Sequence, residues 1–151
     1  MKCEPAAYRI DDLARDGKAP WEGVRNYQAR NYLRAMAVGD WALFYQSNAN
    51  PSGVVGLMRI CAAAYPDHFA FNPESRYFDP ASTQESPRWF MVDVCFVERF
   101  DRVISLAELK NEPLLAGMNV VKKGQRLSVM PESREHFLQV LTLAGSSTPL
   151  E

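Results

Sequence analysis

The chain lacks most of what marks an enzyme with a bound metal or a phosphate-handling loop. Its three cysteines, Cys3, Cys61 and Cys95, are scattered, and its two histidines, His68 and His136, stand far apart. A structural zinc site needs several thiolate or imidazole ligands at short spacing, so neither a metal nor a cofactor is expected. An odd, dispersed set of cysteines also argues against a disulfide framework, and free thiols in a reducing cytoplasm are the expectation. There is no Walker loop and no G-x-S-x-G turn. A Ser-His-Asp set stays open, because its members need not be neighbours in the chain, but no residue pattern speaks for one. No apolar run approaches the roughly 20 residues of a membrane span, and the opening Met1-Lys2-Cys3-Glu4-Pro5 has no apolar signal core. Net charge is scarce as well: 17 Lys and Arg against 18 Asp and Glu give −1. The global basic field of a protein that grips duplex DNA through its phosphates is therefore missing, and any nucleic-acid contact has to be a local patch or a base pocket.

What is present is an ordinary globular composition. Apolar residues make up 47% of 151 residues, enough for one domain with a real core. Residues 1–145 read as that domain. Residues 146–151 read as a patternless tail, disordered or ending in a cloning remnant at Leu150-Glu151. Asp11 to Ala14 reads as a short helix stopped by Gly17. Val24 to Met36 has helical periodicity, with Ala29, Leu33 and Met36 on one side. Strands are expected at 41–46, 54–63, 89–100 and 126–130, with Gly56 marking a bulge or a close neighbour. The strand at 89–100 is apolar on both faces and is placed centrally. Tyr65 to Pro87 is a long, proline-containing stretch of the kind that is functional or mobile. Ser105 and Glu108 form a capping box, and a last helix follows Pro131 and ends at Gly145. Helices and strands mix without a regular alternation, which gives an α+β fold: a small curled sheet or barrel with helices outside.

The residues that suggest function are aromatics and amides at the ends of regular structure. Trp21 stands in a turn, where an indole is either covered by the core or left as a pocket wall; the sequence leaves both open. Tyr45-Gln46-Ser47-Asn48 runs off a strand into a loop and carries donors and acceptors suited to a base edge. Trp89 opens a strand. Flat bases stack on such rings while amides read their edges. Lys122, Lys123 and Arg126 form a basic segment, and Arg25, Arg30 and Arg34 come with the first long helix. Solvated surface charge is the commoner reading of both sets.

These residues also carry a family likeness. Pro20-Trp21-Glu22-Gly23-Val24-Arg25-Asn26-Tyr27-Gln28-Ala29-Arg30-Asn31 resembles the central motif of the EVE domain, a family that includes the thymocyte nuclear protein group. Lys2-Cys3-Glu4-Pro5 resembles its K-S-E-P opening, and Val38-Gly39-Asp40 and Phe44-Tyr45-Gln46-Ser47-Asn48 resemble V-G-D and F-Y-H-S-N. Ala64-Tyr65-Pro66-Asp67, Pro87-Arg88-Trp89, Met91-Val92-Asp93-Val94 and Arg126-Leu127-Ser128-Val129-Met130-Pro131 follow in the family's order. The resemblance implies a PUA-like pseudo-barrel, related to the YTH domains that hold methylated adenine of RNA in an aromatic cage. It implies a module that recognises a modified base of DNA or RNA, without catalysis, in a pocket mapped to Cys3, Trp21, Asn26, Tyr45, Gln46, Ser47, Asn48 and Trp89. Arg25, Arg30, Lys122, Lys123 and Arg126 are its candidate backbone contacts. The chain departs from the pattern where Cys3 replaces Ser, where Gln46 replaces His, and where the aromatic-rich start is absent, so a short first strand is expected. A small enzyme acting on nucleotides or modified bases, and a peptide-binding domain, are the alternative readings.

Overall fold

The computed structural model describes residues 1–149. Five strands form one sheet, and four α-helices lie on its two faces. The strands are β1 (Lys2–Cys3), β2 (Lys18–Pro20), β3 (Trp41–Gln46), β4 (Gly53–Pro66) and β5 (Phe90–Ser105), in the order β1-β3-β4-β5-β2. Only β1 runs parallel to its neighbour, β3; the other pairs are antiparallel. The helices are α1 (Ile10–Asp16), α2 (Tyr27–Ala35), α3 (Leu106–Asn111) and α4 (Arg134–Ala144). This is the α+β arrangement that the sequence pattern predicts.

Strand alternation explains why β3 is apolar on both faces. Successive side chains point to opposite sides. Ala42 and Phe44 enter a core with Ile10 and Leu13 of α1 and Ala29 and Leu33 of α2. Leu43 and Tyr45 enter a second core with Leu109 of α3 and Val140 and Leu141 of α4. The sheet is a partition with helices on either side. Gly56 sits where β4 slips register against β5; a Cβ there would lie 2.6 Å from the Glu98 carbonyl oxygen and from Ile10 Cδ1. Its bareness lets α1 press onto the sheet.

Several expectations are corrected. Arg126–Met130 is irregular, not a strand. Its alternation reflects burial of Val129 in the first core, while one hydrogen bond, from Lys2 N to the Ser128 carbonyl, ties it to β1. β2 went unread because three residues are too few to show a period and Pro20 suggested a turn; proline is tolerated because β2 is an edge strand. β5 is interior, but the middle strand is β4. Val24–Asn26 precedes α2 in extended form, with Asn26 as its cap. Cys61 and Cys95, on the neighbouring strands β4 and β5 with Cα atoms 6.0 Å apart, pair as a disulfide, so Cys3 alone is a free thiol. Thirty-four residues of separation hid a pairing that strand registry creates. At the C-terminal end, the Ser146 and Thr148 hydroxyls donate to Glu98, so the segment expected to be a disordered tail is tied down at these two residues. Leu150-Glu151 lies outside the described residues.

The long stretch after β4 is pinned. Asp67 is fully buried and accepts from the Gly23 and Phe69 amides and from the Arg25 guanidinium, all at 2.9–3.0 Å. Trp89 Nε1 donates to Asp79 at 2.6 Å, and Ser82 accepts from the Arg88 amide. The stretch that the sequence marks as functional or mobile is an anchored cover over the start of α2, because its polar residues bond inward.

Candidate nucleic-acid interface

A cleft of about 610 Å³ opens where β1, β2 and the turn into α2 meet. Its walls include Cys3 of β1 and Glu4 just after it, the run Pro20–Arg25, Tyr77 from the long stretch, and Ser128. The turn is shaped by Gly23, whose φ of 84° suits glycine; a Cβ there would come within 2.5–2.8 Å of the Tyr77 ring. Gly23 therefore lets the ring close against the turn. Lys18 and Arg76 put positive charge on the same walls, while the Lys2 ammonium lies over the Tyr45 ring on the other face of the sheet, 5.6 Å from its centroid.

The one thiol on the cleft's walls is a poor nucleophile. Burial pushes the Cys3 thiol above its ordinary value, and the nearby Glu22 carboxyl adds to this, so it stays protonated and poorly nucleophilic. Burial also raises the Glu22 carboxyl and the Asp67 carboxylate adds to this, while its own backbone amide and His68 oppose. Burial raises the Tyr77 phenol. Among the described residues no group of three metal-ligating side chains converges.

Of the predicted pocket residues, the structure gathers Cys3 and Trp21 in this cleft, joined by Arg25 from the predicted backbone contacts. Trp21 is largely interior: 6% exposed, with its ring edge-on to Phe44 at 5.3 Å, so only a margin reaches the cleft. Arg25 is committed to Asp67 and to the Tyr77 carbonyl, which it bonds at 2.7 and 3.2 Å. It braces the wall and is not free for phosphate. Asn26 caps α2 by accepting from the Ala29 amide. Trp89 is buried, bonded to Asp79 and stacked on Tyr27 at 5.0 Å. Arg30 bonds the Arg88 carbonyl and lies over the Tyr27 ring.

Tyr45 is buried on the other face of the sheet and lines a separate cavity of about 390 Å³ with Trp41, Met118 and Phe137. Gln46 pairs with Cys3 in the sheet, and the Ser47 amide donates to the Cys3 carbonyl. Asn48, with φ 50°, donates to Glu4 at 2.7 Å. This segment braces the cleft's β1 rim and does not share its concave face with Trp21. The difference follows from strand alternation, which turns Tyr45 away. Lys122, Lys123 and Arg126 are exposed on the loop that leads to Ser128. The sequence reading missed Glu22, Tyr77, Lys18 and Arg76. Glu22 was within reach, lying inside the central motif; Tyr77 was not, since only the fold brings it onto Gly23.

Comparison with known proteins places this geometry. The EVE domain profile matches residues 1–143. Human thymocyte nuclear protein 1 is 43% identical over 162 residues, covering 95% of this chain and 72% of that protein. The X-ray structure of a Pseudomonas putida protein is 48% identical, with a TM-score of 0.93 over 95% of this chain and 97% of that one. The structure of the human protein in complex with DNA containing 5-methylcytosine is 42% identical, with a TM-score of 0.89 over 99% of this chain and 97% of that one. The match runs through the cleft walls and both faces of the sheet, and the chain belongs to the EVE domain family.

Proposed function

We propose that this protein is a DNA-binding module that takes a modified base, of the 5-methylcytosine kind, into the cleft between β1, β2 and the turn at Pro20–Arg25, and releases it unchanged. The observation that carries this is the cleft itself: its wall is the family's central motif, in a chain 42% identical to a human protein solved with 5-methylcytosine-containing DNA. Its volume lies within the roughly 300–1,000 Å³ of small-molecule sites. A duplex base reaches such a site only by leaving the stack, at a cost of about a few kcal/mol. Lys18 and Arg76 on the walls, with the exposed Lys122, Lys123 and Arg126 on the loop leading to Ser128, are the groups that offset this by holding phosphates.

A methyl group buried against the cleft contributes about 0.8 kcal/mol, a preference of about fourfold. The test is fluorescence anisotropy with matched duplexes, one carrying 5-methylcytosine and one cytosine, followed by chromatography of the recovered DNA. Tighter binding of the modified duplex with no altered base supports the module. Equal binding of the two, or a changed base, overturns it. The same oligonucleotide made as RNA decides between the two nucleic acids.

A further inference from the structure

We propose, resting on the reading of the cleft as a nucleobase site, that Glu22 reads the Watson–Crick edge of cytosine there as a neutral carboxyl, donating its O–H to N3 and accepting from the N4 amine. The starting point is geometric. Glu22 lies in the turn between β2 and α2 and lines the cleft beside Trp21, Gly23 and Tyr77. Among the described residues it takes no salt bridge and no hydrogen bond from another side chain, only its own backbone amide facing it; the nearby Arg25 is spent on Asp67 and the Tyr77 carbonyl. Its carboxyl is therefore the open hydrogen-bonding group of that wall.

Which edge it matches depends on its proton. An ionised carboxylate only accepts, and two acceptors suit the adjacent N–H groups of guanine. A neutral carboxyl offers one donor and one acceptor side by side, the complement of cytosine's N3 and N4. Burial favours the neutral form of Glu22, raising the carboxyl above its ordinary value. Of the groups that face it, the buried Asp67 just after β4 adds to this through its charge, while the Glu22 backbone amide and His68 favour the ionised form. Cys3 on β1, Tyr65 on β4 and Tyr77 on the long stretch are uncharged acids whose ionisation Glu22 opposes. Binding then requires one proton on the Glu22–cytosine pair. That proton is taken from solvent whenever the free carboxyl is ionised, and it is returned on release.

The experiment measures anisotropy from pH 5.5 to 8.5 with a labelled duplex carrying one 5-methylcytosine. The full chain is compared with Glu22→Gln and Glu22→Ala, whose folding is checked by thermal melts. The glutamine amide permanently offers the donor and acceptor of the neutral acid. Wild-type affinity is expected to fall by about tenfold per pH unit above the free carboxyl's pKa. Glu22→Gln is expected to bind with a flat profile and to exceed wild type at pH 8.5, while Glu22→Ala binds weakly throughout. A duplex carrying 3-methylcytosine, with N3 blocked, is expected to lose this binding. A flat wild-type profile, needing no variant, overturns the proposal. So does a slope that survives in Glu22→Gln, which would belong to His68 or another group, or a Glu22→Gln as weak as Glu22→Ala. Preference for an N6-methyladenine duplex overturns it too. If wild type prefers 5-methylcytosine but these arms fail, only the role of Glu22 falls; if wild type binds no modified duplex at any pH, the cleft reading falls with it.

Discussion

Single residues in this protein are assigned by their partners more than by their type. Trp21 touches the cleft, yet its ring is buried edge-on to Phe44. Trp21→Ala is expected to cost about 3–5 kcal/mol of stability in chemical denaturation, the range for truncating a core aromatic; a change under 1 kcal/mol would make it a pocket wall instead. Asp79 is the reverse, a surface carboxylate held low first by the Trp89 indole N–H and also by the Ala81 amide. A carboxylate with a lowered folded pKa gives stability that is complete above its unfolded value and lost as pH falls through the folded one. Asp79→Asn should therefore lower the melting temperature most near neutrality, and the gap from wild type should close below the ordinary carboxylate range. A gap that is constant with pH would show that the charge is not what matters.

At the scale of elements, the clamp between Asp67, Arg25 and the Gly23 amide joins the end of β4 to the entry of α2. Asp67 is fully buried, and breaking a buried ion pair by removing one partner costs about 3–5 kcal/mol. Arg25→Ala is expected to cost that much and to free the stretch around Tyr77. Hydrogen exchange should show lost protection across residues 67–89, with α4 unchanged. Uniform loss across the chain would mean that the clamp holds the whole fold and not that stretch. The elements themselves were legible in the sequence where they are long or capped by local chemistry. β3 was read to its bounds, the Ser105 cap bonds the Glu108 amide, and Gly145 closes α4 in the left-handed region. β2 was not legible, because a three-residue edge strand is defined by its partner β5 and not by its own pattern.

For the molecule as a whole, the balance of charge limits how the proposed DNA partner is held. With a net charge of −1, the proposed duplex binding rests on a few local cations. Each neutralised phosphate contributes about −0.9 to the slope of log K against log salt. Lys18 and Arg76 together set a slope of about −2, and Arg76→Ala should reduce its magnitude by about one. A slope unchanged by that substitution would place the phosphates elsewhere, with Lys122, Lys123 and Arg126 the next set to test.

The sequence by itself determined the fold class, the two-sided burial of the strand at 89–100 and the family, because these depend on periodicity and on motifs that are contiguous in the chain. It also contained the wall of the cleft, since Pro20–Arg25 is one segment. Only the tertiary structure decided which residues share that cleft. The side chain of Tyr45 points across the sheet from Trp21, Cys61 meets Cys95 through strand registry, and Tyr77 reaches Gly23 because a buried Asp67 draws the long stretch inward. Both contacts join residues more than 30 positions apart. A linear pattern records the apolar period of each element but not the partner it will meet, and partnership is set by packing.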